Sequence, residues 1–376
     1  MNTNKNLLIL CSTLNKGGAE RVISLLLNEY SKKNNVNIHL IMLEDGIEYI
    51  LPSSIRPIIL TKTKKSDFRK FVELPYRGYK LSKYINTNNI DIVMSFLYRP
   101  NYINILSKLF TAKHVSIINI RSTTSRYLKE GLSGKINLFL IKLLFNKADL
   151  IVSNSYGVDL DLKSIINVST KTKVIHNPID INYINNKKNI CENTEFKFKN
   201  NIKYIISVGR IIPLKRNKDL IRAFYEIVKY DDKLELLFLG DGILKNELMN
   251  YCKDLDIYKK VHFLGNVDNP FYYLNNSYLF VLNSETEGFP NVLIEAMAIG
   301  LKVISSDCKS GPREILDDGK YGLLYKVGDI KELIEKMKYY LYETPTSNNI
   351  KLENLKRSHD FRIEKIIYEF NEILYK

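Results

Sequence analysis

Two glutamates, Glu287 and Glu295, bracket the segment Glu287-Gly-Phe-Pro-Asn-Val-Leu-Ile-Glu295. Pro290 suits the first position of a helix, and Gly300 its stop. The apolar run at 278–282 just ahead reads as a buried strand. A strand therefore feeds a tight loop, and the loop feeds a helix N-terminus. The amides there, from Asn291 to Leu293, lack intrahelical partners and form an anion site. Glu287 lies in the loop, and Glu295 lies one turn beyond Asn291 on the same side of the helix. Carboxylates on both sides of an anion-binding turn suit a ligand that is phosphate in the middle and hydroxyl-rich at both ends. A nucleotide sugar has that shape.

Other turns carry phosphate-type chemistry. In Ser207-Val-Gly-Arg-Ile-Ile-Pro-Leu-Lys-Arg216, Gly209 ends an apolar run, and Arg210 and Lys215 are placed to converge on a diphosphate. Ser12-Thr-Leu-Asn-Lys-Gly-Gly-Ala-Glu-Arg21 puts Gly17 and Gly18 at a helix start, where the backbone can approach a phosphate or hydroxyl. Neither turn has the G-x-G-x-x-G spacing of a dinucleotide fingerprint. Gly240-Asp-Gly242 and Ser310-Gly-Pro-Arg-Glu314 read as tight turns after strands. The triplets Asp159-Leu-Asp161 and Asp254-Leu-Asp256 are expected on solvated helix surfaces rather than at a metal. His39, His114, His176, His262 and His359 have no companion at metal or triad spacing.

These turns must be held by ordered strands and helices. Strands are expected at 6–11, 37–43, 57–60, 92–95, 115–120, 149–153 and 173–176, with helices at 19–30, 70–86, 102–109, 135–145 and 157–165. The pattern restarts with strands at 203–208, 234–239, 262–264, 278–282 and 302–305. Strand–helix alternation of this kind predicts an α/β fold of two doubly wound, Rossmann-like parallel-sheet domains. The 376 residues suit two domains. The boundary falls after His176-Asn-Pro-Ile-Asp180, because Asn-Pro signals a turn and residues 182–201 are polar and aperiodic. The expected division is 1–180, 181–350 and a closing helix in 351–376, with room at 344–349 for the chain to cross back.

Composition limits the setting. The chain is 45% apolar, so it is globular. Cys11, Cys191, Cys252 and Cys308 are scattered and read as reduced thiols of a cytoplasmic protein. The apolar run at 7–11 is a first strand rather than a signal peptide, and no stretch reads as a membrane span. The net charge is +15, and residues 1–180 hold 26 Lys and Arg against 13 Asp and Glu, whereas the remainder holds 30 against 28. A basic first half suggests an anionic partner, whether acidic lipid headgroups, a lipid diphosphate or nucleic acid, or else a generally basic surface. Residues 62–83 interleave Lys and Arg with aromatic and aliphatic side chains and suit a membrane-resting surface or a packed helix with solvated lysines. No nucleic-acid-binding module is recognisable.

Taken together, the chain resembles the retaining GT-B glycosyltransferases of family 4, in the branch that builds bacterial surface polysaccharides and lipid-linked oligosaccharides. The resemblance rests on Gly17-Gly18-Ala19-Glu20-Arg21, Asn177-Pro178-Ile179-Asp180, Gly209-Arg210 with Lys215, Gly240-Asp241-Gly242, Phe263-Leu264-Gly265, Glu287-Gly288-Phe289-Pro290-Asn291 with Glu295, and Ser310-Gly311-Pro312-Arg313-Glu314. It implies two domains facing a cleft, acceptor on the first and donor on the second. Arg210 and Lys215 would hold the donor diphosphate as it leaves. Glu287 would bind donor-sugar hydroxyls and Glu295 the ribose. The backbone of Phe289, Pro290, Asn291 and Val292 would touch the diphosphate, with Gly209 beside it and Phe263-Leu264 near the base. Gly18 would let the first domain approach donor or acceptor.

Many such enzymes place a histidine near the donor sugar after the strand at 115–120. Here that loop reads Asn119-Ile-Arg-Ser-Thr-Thr-Ser-Arg126, so Arg121 or Asn119 stands in that place, Arg121 is a candidate for contacting donor or acceptor, and no general base is assigned. The resemblance implies a hexose or N-acetylhexosamine moved from a nucleoside-diphosphate donor, UDP foremost, to a lipid-linked or glycan acceptor, without a metal or other cofactor. The enzyme is expected in the cytoplasm, peripheral on the inner face of the cell membrane, with no nucleic-acid partner. A GT-B epimerase or phosphorylase would share the sheets and phosphate sites.

Overall fold

Short apolar runs that bury both faces of each strand build this protein. The computed structural model describes residues 5–15, 17–60, 71–110, 112–191, 195–343 and 348–375. Residues 62–70 of the basic stretch at 62–83, and 344–347 of the expected crossover, lie outside the described residues. The chain folds as two units. One comprises the described residues of Met1–Pro178 and Glu364–Lys376, the other Ile179–Ile363.

In the first unit the strands are β1 (Lys5–Cys11), β2 (Val36–Met42), β3 (Ile58–Ile59), β4 (Ile92–Phe96), β5 (Val115–Ile120), β6 (Leu150–Ser153) and β7 (Thr172–Val174). They form a parallel sheet in the order β3-β2-β1-β4-β5-β6-β7. The strand order reverses between β1 and β4, so the crevice of this doubly wound sheet lies at their carboxyl ends. Helices Leu74–Thr87, Tyr98–Ser107, Gly131–Leu144 and Tyr156–Ile165 pack on one face through Leu81, Tyr102, Ile141 and Leu162. The closing helix Ile363–Leu374 returns to this unit and buries Ile366, Phe370 and Leu374.

The second unit holds β8 (Lys203–Val208), β9 (Leu234–Leu239), β10 (Val261–Gly265), β11 (Leu279–Leu282), β12 (Lys302–Ser306) and β13 (Leu323–Tyr325), ordered β10-β9-β8-β11-β12-β13. Here the reversal falls between β8 and β11. Alternate residues of one strand serve opposite cores, as the two-residue period requires. Phe280 and Leu282 pack on one side of the sheet, Leu279 and Val281 on the other. Helix Asn217–Val228 buries Leu220, Ile221, Phe224 and Ile227, a single stripe at three- and four-residue spacing. Helix Asn291–Ile299 is buried on almost every side, and Gly300 ends it with φ 86°.

Several local expectations are corrected. Residues 182–201 are not uniformly irregular: Ile181–Lys187 is helical because the Asp180 carboxylate accepts the Tyr183 amide at 2.8 Å. The short strand β13 had escaped notice. Asp159 and Asp161 are buried rather than solvated. Asp161 Oδ2 accepts the amides of Thr124 and Ser125, the latter at 2.8 Å, and so caps the short 3-10 turn Ser125–Lys129. Asp254 and Asp256 are exposed, as expected.

Candidate active site

In a parallel sheet every loop after a strand emerges at the same edge. Strands β8 and β11 are adjacent at the reversal of the second sheet, so their following loops share the crevice. The loop after β8 carries Gly209, Arg210 and, in the 3-10 turn Pro213–Lys215, Lys215. The loop after β11 carries Asn283 to Pro290 and opens onto helix Asn291–Ile299.

The two loops are joined by direct contacts. The Lys215 ammonium donates to Glu287 Oε1 at 2.5 Å, and both side chains are mostly buried. Ser284 Oγ donates to the same carboxylate oxygen at 2.6 Å. Asn283 Nδ2 donates to the Lys215 carbonyl at 2.6 Å, and the Glu285 amide to the Leu214 carbonyl at 2.8 Å. The loop after β12 completes the frame. Ser310 Oγ donates to the Glu287 carbonyl at 2.5 Å, and Ser306 Oγ to the Ser284 carbonyl at 2.6 Å. Seventy-two positions of sequence separate Lys215 from Glu287, yet the ammonium and carboxylate meet as one charged pair.

Two glycines permit this frame. Gly209 has φ 150°, and a Cβ built there would lie 3.6 Å from the Lys215 side chain. Gly311 has φ 89°, and its Cβ would fall 2.7 Å from Pro290 Cδ and 2.9 Å from the Gly288 carbonyl. A side chain at 311 would therefore push on the Glu287 loop itself.

The remaining residues singled out in the sequence fall as follows. Arg210 is exposed at this edge. Pro290 takes the N-cap position rather than the first helical position, with φ −73° and ψ 104°. The Leu293 amide donates to the Pro290 carbonyl at 3.1 Å, so it is not the bare amide expected there. Phe289 is buried, its ring edge-on to Phe361 at 5.3 Å. Asn291 and Glu295 are buried, and Val292 is half-buried. Phe263 stacks on Phe238 at 5.1 Å on β10, two strands from β8. The Gly240–Asp241 turn is tied to the Arg210 loop by the Ile211 amide, which donates to the Asp241 carbonyl at 2.9 Å.

In the first unit, Gly18 begins helix Gly18–Ser31 after β1, at that sheet's own reversal. Arg121 follows β5 and is 7% exposed. Its Nη1 donates to Asn177 Oδ1 at 2.8 Å and its Nη2 to Asn119 Oδ1 at 3.0 Å, with the Phe96 ring 5.0 Å away. Burial lowers its guanidinium to about 9. That Arg121 is held by Asn177, Asn119 and the Phe96 ring is a grouping that spacing alone does not identify. The described part of the basic stretch 62–83 includes exposed Tyr76 and Tyr79, with Lys80 and Lys83 over their rings at 4.8 and 4.7 Å. Among the described residues, no three His, Cys, Asp or Glu side chains gather as metal ligands.

The two halves match two family descriptions: Glycosyltransferase Family 4 over residues 16–183 and Glycosyl transferases group 1 over residues 192–357. A Campylobacter jejuni protein named N-acetylgalactosamine-N,N'-diacetylbacillosaminyl-diphospho-undecaprenol 4-alpha-N-acetylgalactosaminyltransferase is 38% identical, over 88% of this chain and 88% of its own. A second protein of that organism is 26% identical over 96% of each chain, and its name describes an alpha-1,4-N-acetyl-D-galactosaminyltransferase acting on a PP-undecaprenol-linked glycan. The fold is also that of Anabaena Alr3699/HepE, solved in complex with UDP and glucose, with a TM-score of 0.78 over 99% of both chains at 18% identity. The chain belongs to the family 4, group 1 glycosyltransferases, of GT-B fold. It is a hexosyltransferase enzyme.

Proposed function

We propose that this enzyme moves a hexose or N-acetylhexosamine from a UDP-sugar to a lipid-linked saccharide during surface-glycan synthesis, with retention at the anomeric carbon. The second unit would bind the donor and the first the acceptor. The observation that carries the donor half is the pairing of Lys215 with Glu287 at the reversal between β8 and β11, beside the start of a buried helix. The acceptor class is supported by the undecaprenol-linked substrates in the names of the two Campylobacter proteins. The choice of UDP is supported by the complex of the Anabaena structure.

In the reaction the bond from the anomeric carbon to the diphosphate oxygen breaks, and its electron pair leaves with UDP. The sugar turns cationic as the diphosphate gains charge. Arg210 and Lys215 meet that growing negative charge, with the amides at Asn291 and Val292, and stabilise it more than they stabilise the ground state. Glu287 orients Lys215 through the charged pair and takes donor-sugar hydroxyls on its remaining oxygen. Glu295 takes the ribose. The acceptor hydroxyl attacks on the face the diphosphate leaves, and its proton passes to a donor phosphate oxygen. This set of positive groups serves in place of a divalent cation, so transfer is expected to persist in excess EDTA.

The test combines donor binding and transfer. Arg210→Ala, Lys215→Ala and Glu287→Ala are each expected to lower kcat by about 10²–10³-fold, the range seen when one preorganised charge-stabilising group is removed. Full transfer by the Arg210/Lys215 double variant ends the proposal. Sugar conversion without any acceptor would instead reveal an epimerase.

A further inference from the structure

Helix Gly131–Leu144 has two faces of different meaning. Gly134, Asn137, Ile141 and Leu144, at three- and four-residue spacing, are buried against its own unit. The opposite face carries Leu132, Lys135, Phe139, Lys142 and Leu143. Leu132 is 73% exposed, Phe139 64% and Leu143 48%, and Leu128 in the preceding turn is 65% exposed. A helix that needs one apolar stripe to pack leaves charged and polar groups on its other side. Four large apolar side chains along one outward line instead mark a surface that meets something apolar.

Charge identifies the partner. Residues 126–149 hold five Lys or Arg, namely Arg126, Lys129, Lys135, Lys142 and Lys147, against Glu130 and Asp149. Both acids are engaged. Glu130 lies 3.8 Å from Arg126, and Asp149 lies 2.6 Å from Lys108. Lys135, Lys142 and Lys147 make no ion pair among the described residues. Leucine and phenylalanine flanked by unpaired lysines suit a phase that is apolar within and anionic at its rim. Lysine stems can lie along the apolar part while their ammonium groups reach the headgroups.

Position agrees. The helix follows the turn Ser125–Lys129 after β5 and precedes β6, so its first turn lies toward the carboxyl edge of the first sheet. Its 14 residues span about 20 Å. Arg121 and Gly18 lie at that same edge of the same sheet.

The structure assigns the outward face of Gly131–Leu144 as a bilayer-docking surface for anionic lipid headgroups. This helix is a different segment from 62–83, which the sequence offered either as a membrane-resting surface or as a packed helix with solvated lysines. The assignment rests on the reading that the acceptor is lipid-linked. Docking through this helix brings the acceptor edge of the first unit to the lipid surface, where a lipid diphosphate projects.

The experiment is flotation of the full chain with phosphatidylcholine vesicles, with and without phosphatidylglycerol, at low and high salt. Wild type is expected to float with phosphatidylglycerol vesicles and to release in high salt. Leu132→Ser/Phe139→Ser and Lys135→Gln/Lys142→Gln are each expected to weaken binding about tenfold or more, since each lysine near an anionic surface contributes roughly 1 kcal/mol. Because these positions are exposed, both variants should match wild type in thermal unfolding and in UDP affinity by calorimetry. Wild type that stays with the soluble fraction overturns the assignment. So does unchanged flotation of both variants, or a wild-type dimer that Leu132→Ser/Phe139→Ser converts to monomer without altering flotation. Absent UDP binding by wild type would count against the donor reading alone and leave the docking result standing.

Discussion

At the scale of single residues, the decisive feature is how charge is housed. Lys215 and Glu287 share one pair, and Ser284 holds the carboxylate from a second side, so neither end group is left to wander. Arg121 is housed differently: its guanidinium rests on neutral amide oxygens and an aromatic face. A planar guanidinium holds its donors in fixed directions toward two such acceptors while its flat face rests on the Phe96 ring, which an ammonium cannot do. His114 offers a measurable consequence of burial. Its Nε2 meets Asn104 Oδ1 at 2.9 Å, and because Asn104 Nδ2 donates to the Val93 carbonyl, the neutral ring donates through Nε2. Burial first, and then nearby Lys108, lower His114 to about 4, opposed by Asp149. The unfolded histidine takes up its proton near pH 6.5, before the folded one does. Stability is therefore complete above that pH and falls as pH drops from about 6.5 toward 4, by about 3 kcal/mol in all. Urea midpoints measured across this window should slope downward toward acid. In His114→Leu the slope should flatten, even though the variant is less stable overall.

At the scale of elements, the site depends on three loops held in register by their strands. The Glu287 loop is fixed by hydroxyls from β12 and the loop after it, and by the close approach of Gly311 to Pro290. Gly311→Ala places a methyl group at a positive φ and within 2.7 Å of a proline ring. The expected cost is about 1–3 kcal/mol of stability, with loss of transfer greater than that cost explains, because the carboxylate moves with its loop. Thermal unfolding and kcat measured together check this. Gly131→Ala also carries backbone strain, since Gly131 has φ 57°, but its added Cβ meets nothing within 4 Å, so transfer should fall no further than that strain explains.

At the scale of the whole molecule, the chain does not divide at one point. It leaves the first unit at Pro178 and returns to it at Glu364. Phe370 and Ile366, fully buried in the first unit, belong to its core although they are added last in sequence. Removing residues 364–376 should therefore destabilise the first unit selectively. Limited proteolysis should cut the first unit rapidly in the shortened protein while fragments of 179–363 persist. Equal protection of both units would contradict this division. No helix among the described residues is long and apolar enough to cross a membrane.

The sequence by itself determined the two-sheet architecture, because strands buried on both faces must be written as apolar runs and their crossovers as amphipathic helices. It also located the turns that carry Gly209, Lys215 and Glu287, since glycine, proline and charge at strand ends are local signals. Only the tertiary structure decided which of these turns meet. Sheet order is non-local, and the adjacency of β8 and β11 brings Lys215 to Glu287. It likewise decided that Asp161 is a buried cap whereas Asp254 faces solvent, although both sit in Asp-Leu-Asp triplets. It left Leu132 and Phe139 outside the core. An apolar residue reads the same in a sequence whether or not another element arrives to cover it, so burial is settled only when the packing partners are in place.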